Sequence, residues 1–106
     1  MFFELRQYRT RPGQRQKWVE FMENEIIPFQ VSKGMVIHGS FIGQEEDDLY
    51  VWIRRFESEE EAKKLYKVVY ESDYWKNEIK PFADEMLDRE HMRIVKLEAT
   101  PKSVIQ

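Results

Sequence analysis

The stretch that decides the fold lies just behind the amino terminus and reads Glu4-Leu5-Arg6-Gln7-Tyr8-Arg9-Thr10-Arg11-Pro12-Gly13. Even-numbered polar positions alternate with a second set of side chains, and this period of two is typical of a β-strand. Pro12 fixes its φ angle and Gly13 permits a positive one, so the pair ends the strand in a tight turn. We therefore predict a strand over residues 2–10, then the first helix. So polar a strand is expected at a sheet edge or in a functional site.

Composition restricts the classes of protein that this chain can represent. With 106 residues it forms a single domain, which we place at 1–100 with a carboxyl-terminal tail at 101–106. The net charge is −3 without any Lys/Arg block, so neither nucleic acid nor a membrane surface is expected as a partner. No cysteine is present, which excludes disulfides and thiolate sites. Structure is predicted to begin at Phe2, leaving no room for a targeting peptide, and a cytoplasmic location is expected.

The first half of the chain predicts one helix and two further strands. An apolar stripe predicts a helix over 14–33, which Pro28 should kink and Gly34 should end. Strands follow at 35–43 and 49–56, joined by an acidic connector at 44–48. In the first of them, simple alternation places His38 and Ser40 on the same face.

The second half of the chain predicts a helical region and a last strand. Ser58 and Glu61 form a capping box that opens a helix, and Ser72 resembles a second cap. Pro81 should interrupt the helical region, which we expect to continue to about Asp88. The last strand is predicted over 91–99, and the tail is expected to be mobile or to contact a partner.

The element order β-α-β-β-α-β predicts an α+β, ferredoxin-like fold, in which helices cover one face of a four-stranded antiparallel sheet. The strand at 49–56 carries bulky apolar residues on both faces, with Val51 and Ile53 on one and Tyr50 and Trp52 on the other. A sheet covered by helices on one side should present polar groups on its open side. A second subunit over the open face would resolve this conflict, so we expect a two-fold homodimer.

Several motifs together resemble the NIPSNAP family over nearly the whole chain. They are Glu4-Leu5-Arg6-x-Tyr8-Arg9-x-x-Pro12-Gly13, Gly34-Met35, Trp52 and Ser72-Asp73-x-Trp75. The resemblance implies a dimeric α+β barrel, in which two ferredoxin-like subunits pack sheet to sheet and each keeps a pocket between sheet and helices. That superfamily includes cofactor-free quinol monooxygenases and isomerases, whereas the family itself has no agreed reaction and implies no catalytic residues. Its animal members are associated with mitochondria and vesicle or autophagy-related interactions.

Four polar residues could carry chemistry in such a pocket. His38 could act as a base, with Tyr8 as its catalytic partner, or it could simply be hydrogen-bonded within the sheet. Arg6 and Arg54 could hold an anionic or phenolic ligand beside Tyr8, or they could form an ion-pair ladder with Glu4.

The aromatic residues Trp18, Trp52, Tyr66 and Trp75 could line a pocket for a flat ligand, or they could be core residues. No metal site is predicted, because the two histidines lie on different elements and the acidic runs lack calcium-loop spacing. No glycine-rich phosphate loop is present, and no cofactor is expected.

Three functions follow from these observations. The first is the binding of a small hydrophobic or phenolic molecule, with turnover by a cofactor-independent monooxygenase or isomerase as its catalytic form. The second is a ligand-binding module that has no turnover. The third is a non-catalytic homodimeric scaffold or interaction protein.

Overall fold

The computed structural model describes all 106 residues and shows an antiparallel sheet with helices on one face. In chain order the elements are β1 (Phe2–Thr10), α1 (Arg15–Phe21), a π-helical segment (Met22–Ile26), α2 (Ile27–Ser32), β2 (Val36–Ile42), β3 (Leu49–Phe56), α3 (Glu59–Tyr70), a second π-helical segment (Trp75–Ile79), α4 (Lys80–Met86) and β4 (Leu87–Leu97). The predicted β-α-β-β-α-β order and the ferredoxin-like α+β class are confirmed.

The polar first strand lies in the middle of the sheet. The strand order is β2-β3-β1-β4, and β1 pairs antiparallel with both β3 and β4. Of the two places expected for so polar a strand, a sheet edge is therefore excluded, and the polar side chains of β1 enter the interior. Glu4 lies opposite Arg54 in the register, and the Arg54 Nη2 donates to the Glu4 Oε1 at 2.6 Å, which confirms the predicted cross-strand pair.

Both proline breaks take the form of π-helical segments with the same local sequence. Residues 24–29 read Asn-Glu-Ile-Ile-Pro-Phe, and residues 77–82 read Asn-Glu-Ile-Lys-Pro-Phe. Each π segment ends two residues before its proline, which cannot donate the backbone hydrogen bond of a regular α-helix. The flanking rings pack crosswise, with Phe21 against Phe82 and Phe29 against Tyr74. The two helical halves therefore contact each other reciprocally, each through the rings that flank its π segment.

A β-bulge in β2 changes the faces that alternation predicted. Ile37 pairs with Arg54, but Gly39 pairs with Ile53, so the register shifts at His38. As a result Ser40 lies opposite Trp52 on the helix side, whereas His38 packs edge-on against Phe3 on the other side, with ring centroids 5.4 Å apart. The prediction that His38 and Ser40 share a face is wrong.

The last strand begins earlier than the sequence predicted. α4 ends at Met86 and β4 already begins at Leu87, whose side chain is buried in the core. A leucine at position 87 fits the apolar stripe of a helix as well as it fits a buried strand, so the sequence pattern does not mark this boundary. β4 is also irregular: Gln7 pairs with Arg93 but Arg9 pairs with Asp88, so residues 89–92 form a wide bulge.

The sheet face away from the helices remains rich in apolar side chains. On the edge strand β2, Phe41 is 53% exposed and Val36 is 45% exposed. Val51 of the neighbouring strand β3 lies opposite Phe41 and is half-buried. The tail folds back over one end of this face, where an open cavity of about 260 Å³ is lined by Phe3, Ile53, residues 97–100, Ser103 and Ile105. None of the helices has the length and hydrophobicity that a membrane-spanning segment needs.

Candidate ligand-binding cavity

A cavity of about 560 Å³ lies between the sheet and the helices. It is lined by 14 side chains from both layers, most of them apolar or aromatic. They are Arg6, Tyr8, Trp18, Met22, Ile26, Trp52, Tyr66, Tyr70, Trp75, Lys76, Lys80, Ala83, Leu87 and Arg89. Both π-helical segments contribute to this lining, and such segments occur frequently at functional sites.

One wall of the cavity consists of three buried aromatic rings. Tyr8 stands edge-on to Trp18 and to Trp52, with centroid distances of 5.9 Å and 6.4 Å. The indole N–H groups of Trp18 and Trp52 are buried and have no hydrogen-bond acceptor in the protein. These two nitrogens are shielded from solvent, so Trp18 and Trp52 contribute the apolar surface of their rings to the cavity.

A second wall consists of Tyr66, Tyr70 and Trp75. The Tyr70 ring stands edge-on to both of its neighbours, at 5.5 Å from Tyr66 and 4.7 Å from Trp75. The hydroxyl of Tyr66 donates to the second carboxylate oxygen of Glu4. The aromatic walls are therefore fixed by packing against one another and by a hydrogen bond to the sheet.

Behind these walls lies a buried cluster of charges centred on Glu4. The Arg54 and Arg6 guanidinium groups both donate to the Glu4 Oε1, each at 2.6 Å. Burial alone would raise the pKa of the Glu4 carboxyl, but the two guanidinium groups outweigh burial and hold this pKa below its usual value. Burial likewise opposes the charge on Arg6, but Tyr8, Tyr70 and Glu4 outweigh it and raise the Arg6 pKa. The cluster is therefore ionised at neutral pH.

The structure brings together six of the eight predicted site residues. Arg6, Tyr8, Trp18, Trp52, Tyr66 and Trp75 all line the cavity. Arg54 does not line it: this side chain is fully buried beneath Trp52 and donates to Gln30 and Tyr70 as well as to Glu4. The prediction that Arg54 contacts a ligand in the cavity is therefore wrong. The alternative prediction, an ion pair with Glu4, is the one that the structure shows. His38 is also not in the cavity, because the bulge in β2 turns it towards Phe3.

Three cations at the edge of the cavity were not predicted from the sequence. Lys76 and Lys80 lie four residues apart, and Arg89 belongs to the wide bulge of β4. All three are exposed, and the carboxylate of Asp84 accepts from Lys80 at 2.9 Å and from Arg89 at 2.8 Å. The i, i+4 spacing of the two lysines was visible in the sequence, but the position of Arg89 depends on the bulge.

Beside the cavity, Tyr50 continues the aromatic layer towards β2. Its ring stacks on that of Tyr8 at 6.3 Å, and its hydroxyl lies 2.5 Å from the Ser40 hydroxyl. Burial raises the pKa of Tyr50 to about 12, so its hydroxyl stays protonated at neutral pH.

The structure contains no group of three His, Asp or Glu side chains that could hold a metal ion. The site can therefore stack, hydrogen-bond and pair with charge through its own side chains.

Comparison with known proteins relates the chain to one family. A family model described as NIPSNAP matches residues 3–101. No curated protein matches the chain. A crystal structure from Agrobacterium tumefaciens, described as a NIPSNAP family protein with unknown function, has a TM-score of 0.89 at 20% identity and covers 100% of this chain and 94% of that one. An uncharacterized NIPSNAP-like domain protein from Burkholderia xenovorans has a TM-score of 0.86 at 19% identity, with 96% and 87% covered. A structure described as an antibiotic biosynthesis monooxygenase has a TM-score of 0.66 at 14% identity, with 95% and 100% covered.

Proposed function

This chain belongs to the NIPSNAP family, and the two family structures compared above are described as of unknown function or uncharacterized. From the cavity of this chain we propose that it binds a small, flat, predominantly apolar molecule. The observation that carries this proposal is the aromatic lining, to which Tyr8, Trp18, Trp52, Tyr66, Tyr70 and Trp75 all contribute. A volume of about 560 Å³ is within the usual range for small-molecule sites. Flat rings suit the aromatic walls because they can stack or stand edge-on to them.

The test is a fluorescence titration with N-phenyl-1-naphthylamine, a neutral dye that brightens in an apolar site. Ala83 lines the cavity and is buried, so Ala83→Leu should fill part of the space and abolish dye binding. Val68→Leu, on the exposed surface of α3, is the matched control and should leave dye binding unchanged. Absence of dye binding to the native protein, or equal binding to the Ala83→Leu variant with an intact circular dichroism spectrum, would refute the proposal.

Turnover in the same cavity is a second candidate, favoured by the position of the Tyr8 hydroxyl. The Arg6 Nη1 donates to this hydroxyl at 3.4 Å, so a cation stands where a phenolate or oxyanion would need stabilisation. One solved structural neighbour is described as a monooxygenase. A cofactor-independent monooxygenase would convert a hydroquinone and O₂ into a hydroxyquinone and water, with the substrate supplying the electrons. An isomerase acting on a conjugated compound is the other catalytic form.

This candidate is tested with 1,4-naphthohydroquinone and ¹⁸O₂. Oxygen insertion into the product, detected by mass spectrometry and lost in the Tyr8→Phe variant, would support it. Only uncatalysed oxidation, without insertion of the label, would eliminate the monooxygenase. Because His38 lies on the other face of the sheet, His38→Ala is the control and should leave the rate unchanged.

We also propose that a second copy of this chain covers the open face of the sheet. That face presents Phe41, Val36 and Val51, whereas an open sheet face in a monomer should be polar. A symmetric dimer would bury the apolar patch against itself. Sedimentation equilibrium should give twice the chain mass, and Val51→Glu should give the chain mass. A native protein that remains monomeric at about 10 μM would contradict this proposal, since that concentration exceeds the dissociation constants of ordinary specific dimers.

A further inference from the structure

The charges around the cavity oppose the charge of the whole molecule. The chain carries a net charge of −3, yet no acidic residue lines the cavity, whereas two arginines and two lysines do. Arg6 shares the single carboxylate of Glu4 with Arg54 inside the protein. Of the other three cations, Lys80 and Arg89 share the carboxylate of Asp84, and Lys76 has no carboxylate partner. The edge of an otherwise apolar cavity is therefore positive.

The three cations come from two different elements that meet at the cavity edge. Lys76 and Lys80 lie four residues apart across the boundary between the second π segment and α4, on the same face of the helix. Arg89 reaches the same edge from the bulge in β4. Lys76 forms no ion pair within the protein. An unpaired lysine beside a partly paired lysine and arginine provides an incomplete site for an anion.

Resting on the proposed function, we infer that the ligand is an organic acid with a flat apolar body. Its body lies between the aromatic walls, and its carboxylate or sulfonate lies at the cavity edge beside Lys76, Lys80 and Arg89. Because the anionic group is partly exposed there, the bound ligand keeps most of the hydration of that group, and the group is also attracted by the cations. A neutral molecule of the same shape would use the aromatic walls alone.

Two dyes with the same ring system separate this inference from the proposed function. 8-Anilinonaphthalene-1-sulfonate is N-phenyl-1-naphthylamine with an added sulfonate, and both dyes brighten in apolar sites. The double variant Lys76→Gln/Lys80→Gln should weaken binding of the sulfonate by about 3- to 10-fold, because exposed charge pairs are individually modest. It should change the affinity for the neutral dye by less than about 2-fold. Lys63→Gln, on the exposed face of α3, is the matched control.

Two further measurements address the same cations. Raising the salt concentration from about 0.1 M to about 1 M shortens the Debye length from about 10 Å to about 3 Å, and should weaken binding of the sulfonate only. Asp84→Asn should strengthen binding of the sulfonate, because it releases Lys80 and Arg89 from their shared carboxylate.

The outcomes are distinguishable. If both dyes bind, but the lysine variant and salt affect them equally, the inference of an acidic ligand is refuted and the apolar cavity site stands. If neither dye binds, the proposed function itself fails. If only the sulfonate binds and the Ala83→Leu variant still binds it, the anion lies outside the cavity and the inference is refuted as well.

Discussion

The most informative single substitution in the core is Arg54→Met, because Arg54 is completely buried and charged. Its Nη2 donates to the Glu4 carboxylate at 2.6 Å, and its Nη1 donates to Gln30 and to Tyr70, each at 2.8 Å. The guanidinium carbon also lies 4.7 Å from the centroid of the Trp52 ring. Methionine fills a similar volume but satisfies none of these groups.

We expect Arg54→Met to lower the free energy of unfolding by about 3 to 5 kcal/mol, the usual cost of breaking a buried ion pair from one side. Most of this cost arises because Glu4 keeps only Arg6 and Tyr66 as partners, while Gln30 and Tyr70 lose the Arg54 donor and keep only the contact of 3.5 Å between them. For a domain of this size such a loss corresponds to a fall in Tm of about 15 °C or more. Urea denaturation followed by tryptophan fluorescence measures it.

The matched control is Arg55→Met on the same strand. Arg55 is 26% exposed and pairs with the exposed Glu57, so its replacement should cost less than about 1 kcal/mol. The double variant Glu4→Gln/Arg54→Met should cost clearly less than the sum of its single variants, because it removes both charges of the Arg54–Glu4 pair and leaves only Arg6, whose side chain is 14% exposed, without a carboxylate. Additive single effects, or a loss below about 1 kcal/mol for Arg54→Met, would refute the buried ion-pair account.

Three further predictions concern stability. Because folding lowers the Glu4 pKa, the ionised Glu4 carboxylate stabilises the fold above about pH 4.3, and this contribution is lost as the pH falls through the folded pKa. A measurement of the free energy of unfolding against pH should show this loss in the native protein and a smaller loss in Glu4→Gln. Gly34 has a φ of +105°, so Gly34→Ala should lower the free energy of unfolding by about 1 to 3 kcal/mol in urea denaturation. Gly13 has a φ of +75° and lies in open space, so Gly13→Ala should cost less, and an equal or larger cost for Gly13→Ala would contradict this reasoning. The Ser58 Oγ accepts from the Glu61 N–H at 3.1 Å, so Ser58→Ala should lower Tm through a loss of about 1 kcal/mol, whereas an unchanged Tm would exclude a stabilising cap.

The sequence determined the fold well because its strongest signals are local. The alternation in β1 and β3 and the capping box of Ser58 and Glu61 each depend on a few neighbouring residues, and all are present in the structure. The two prolines correctly marked breaks in the helices. The shared motif around them was readable in the sequence, whereas the π-helical form of the breaks is visible only in the structure.

The candidate site was predictable only in part, because it depends on register. The aromatic residues reach the cavity because helical and strand periodicity placed them on the covered face. His38 differs from expectation because a bulge in β2 moves it, and Arg89 was not predicted because its position depends on a bulge in β4; a bulge leaves no mark in an alternating pattern. Arg54 differs because a carboxylate on the neighbouring strand pairs with it in the core.

The most direct test of the account is a two-dimensional ¹H–¹⁵N spectrum recorded during titration with 8-anilinonaphthalene-1-sulfonate. The three tryptophan indole N–H groups give separate signals, and those of Trp18 and Trp52 are the buried ones without an acceptor. We predict that these two signals shift on binding, together with the backbone amide of Lys76, while the amides of Val51 and Val36 on the open face do not. Shifts confined to the open face, with the Trp18 and Trp52 signals unchanged, would contradict the cavity as the ligand site.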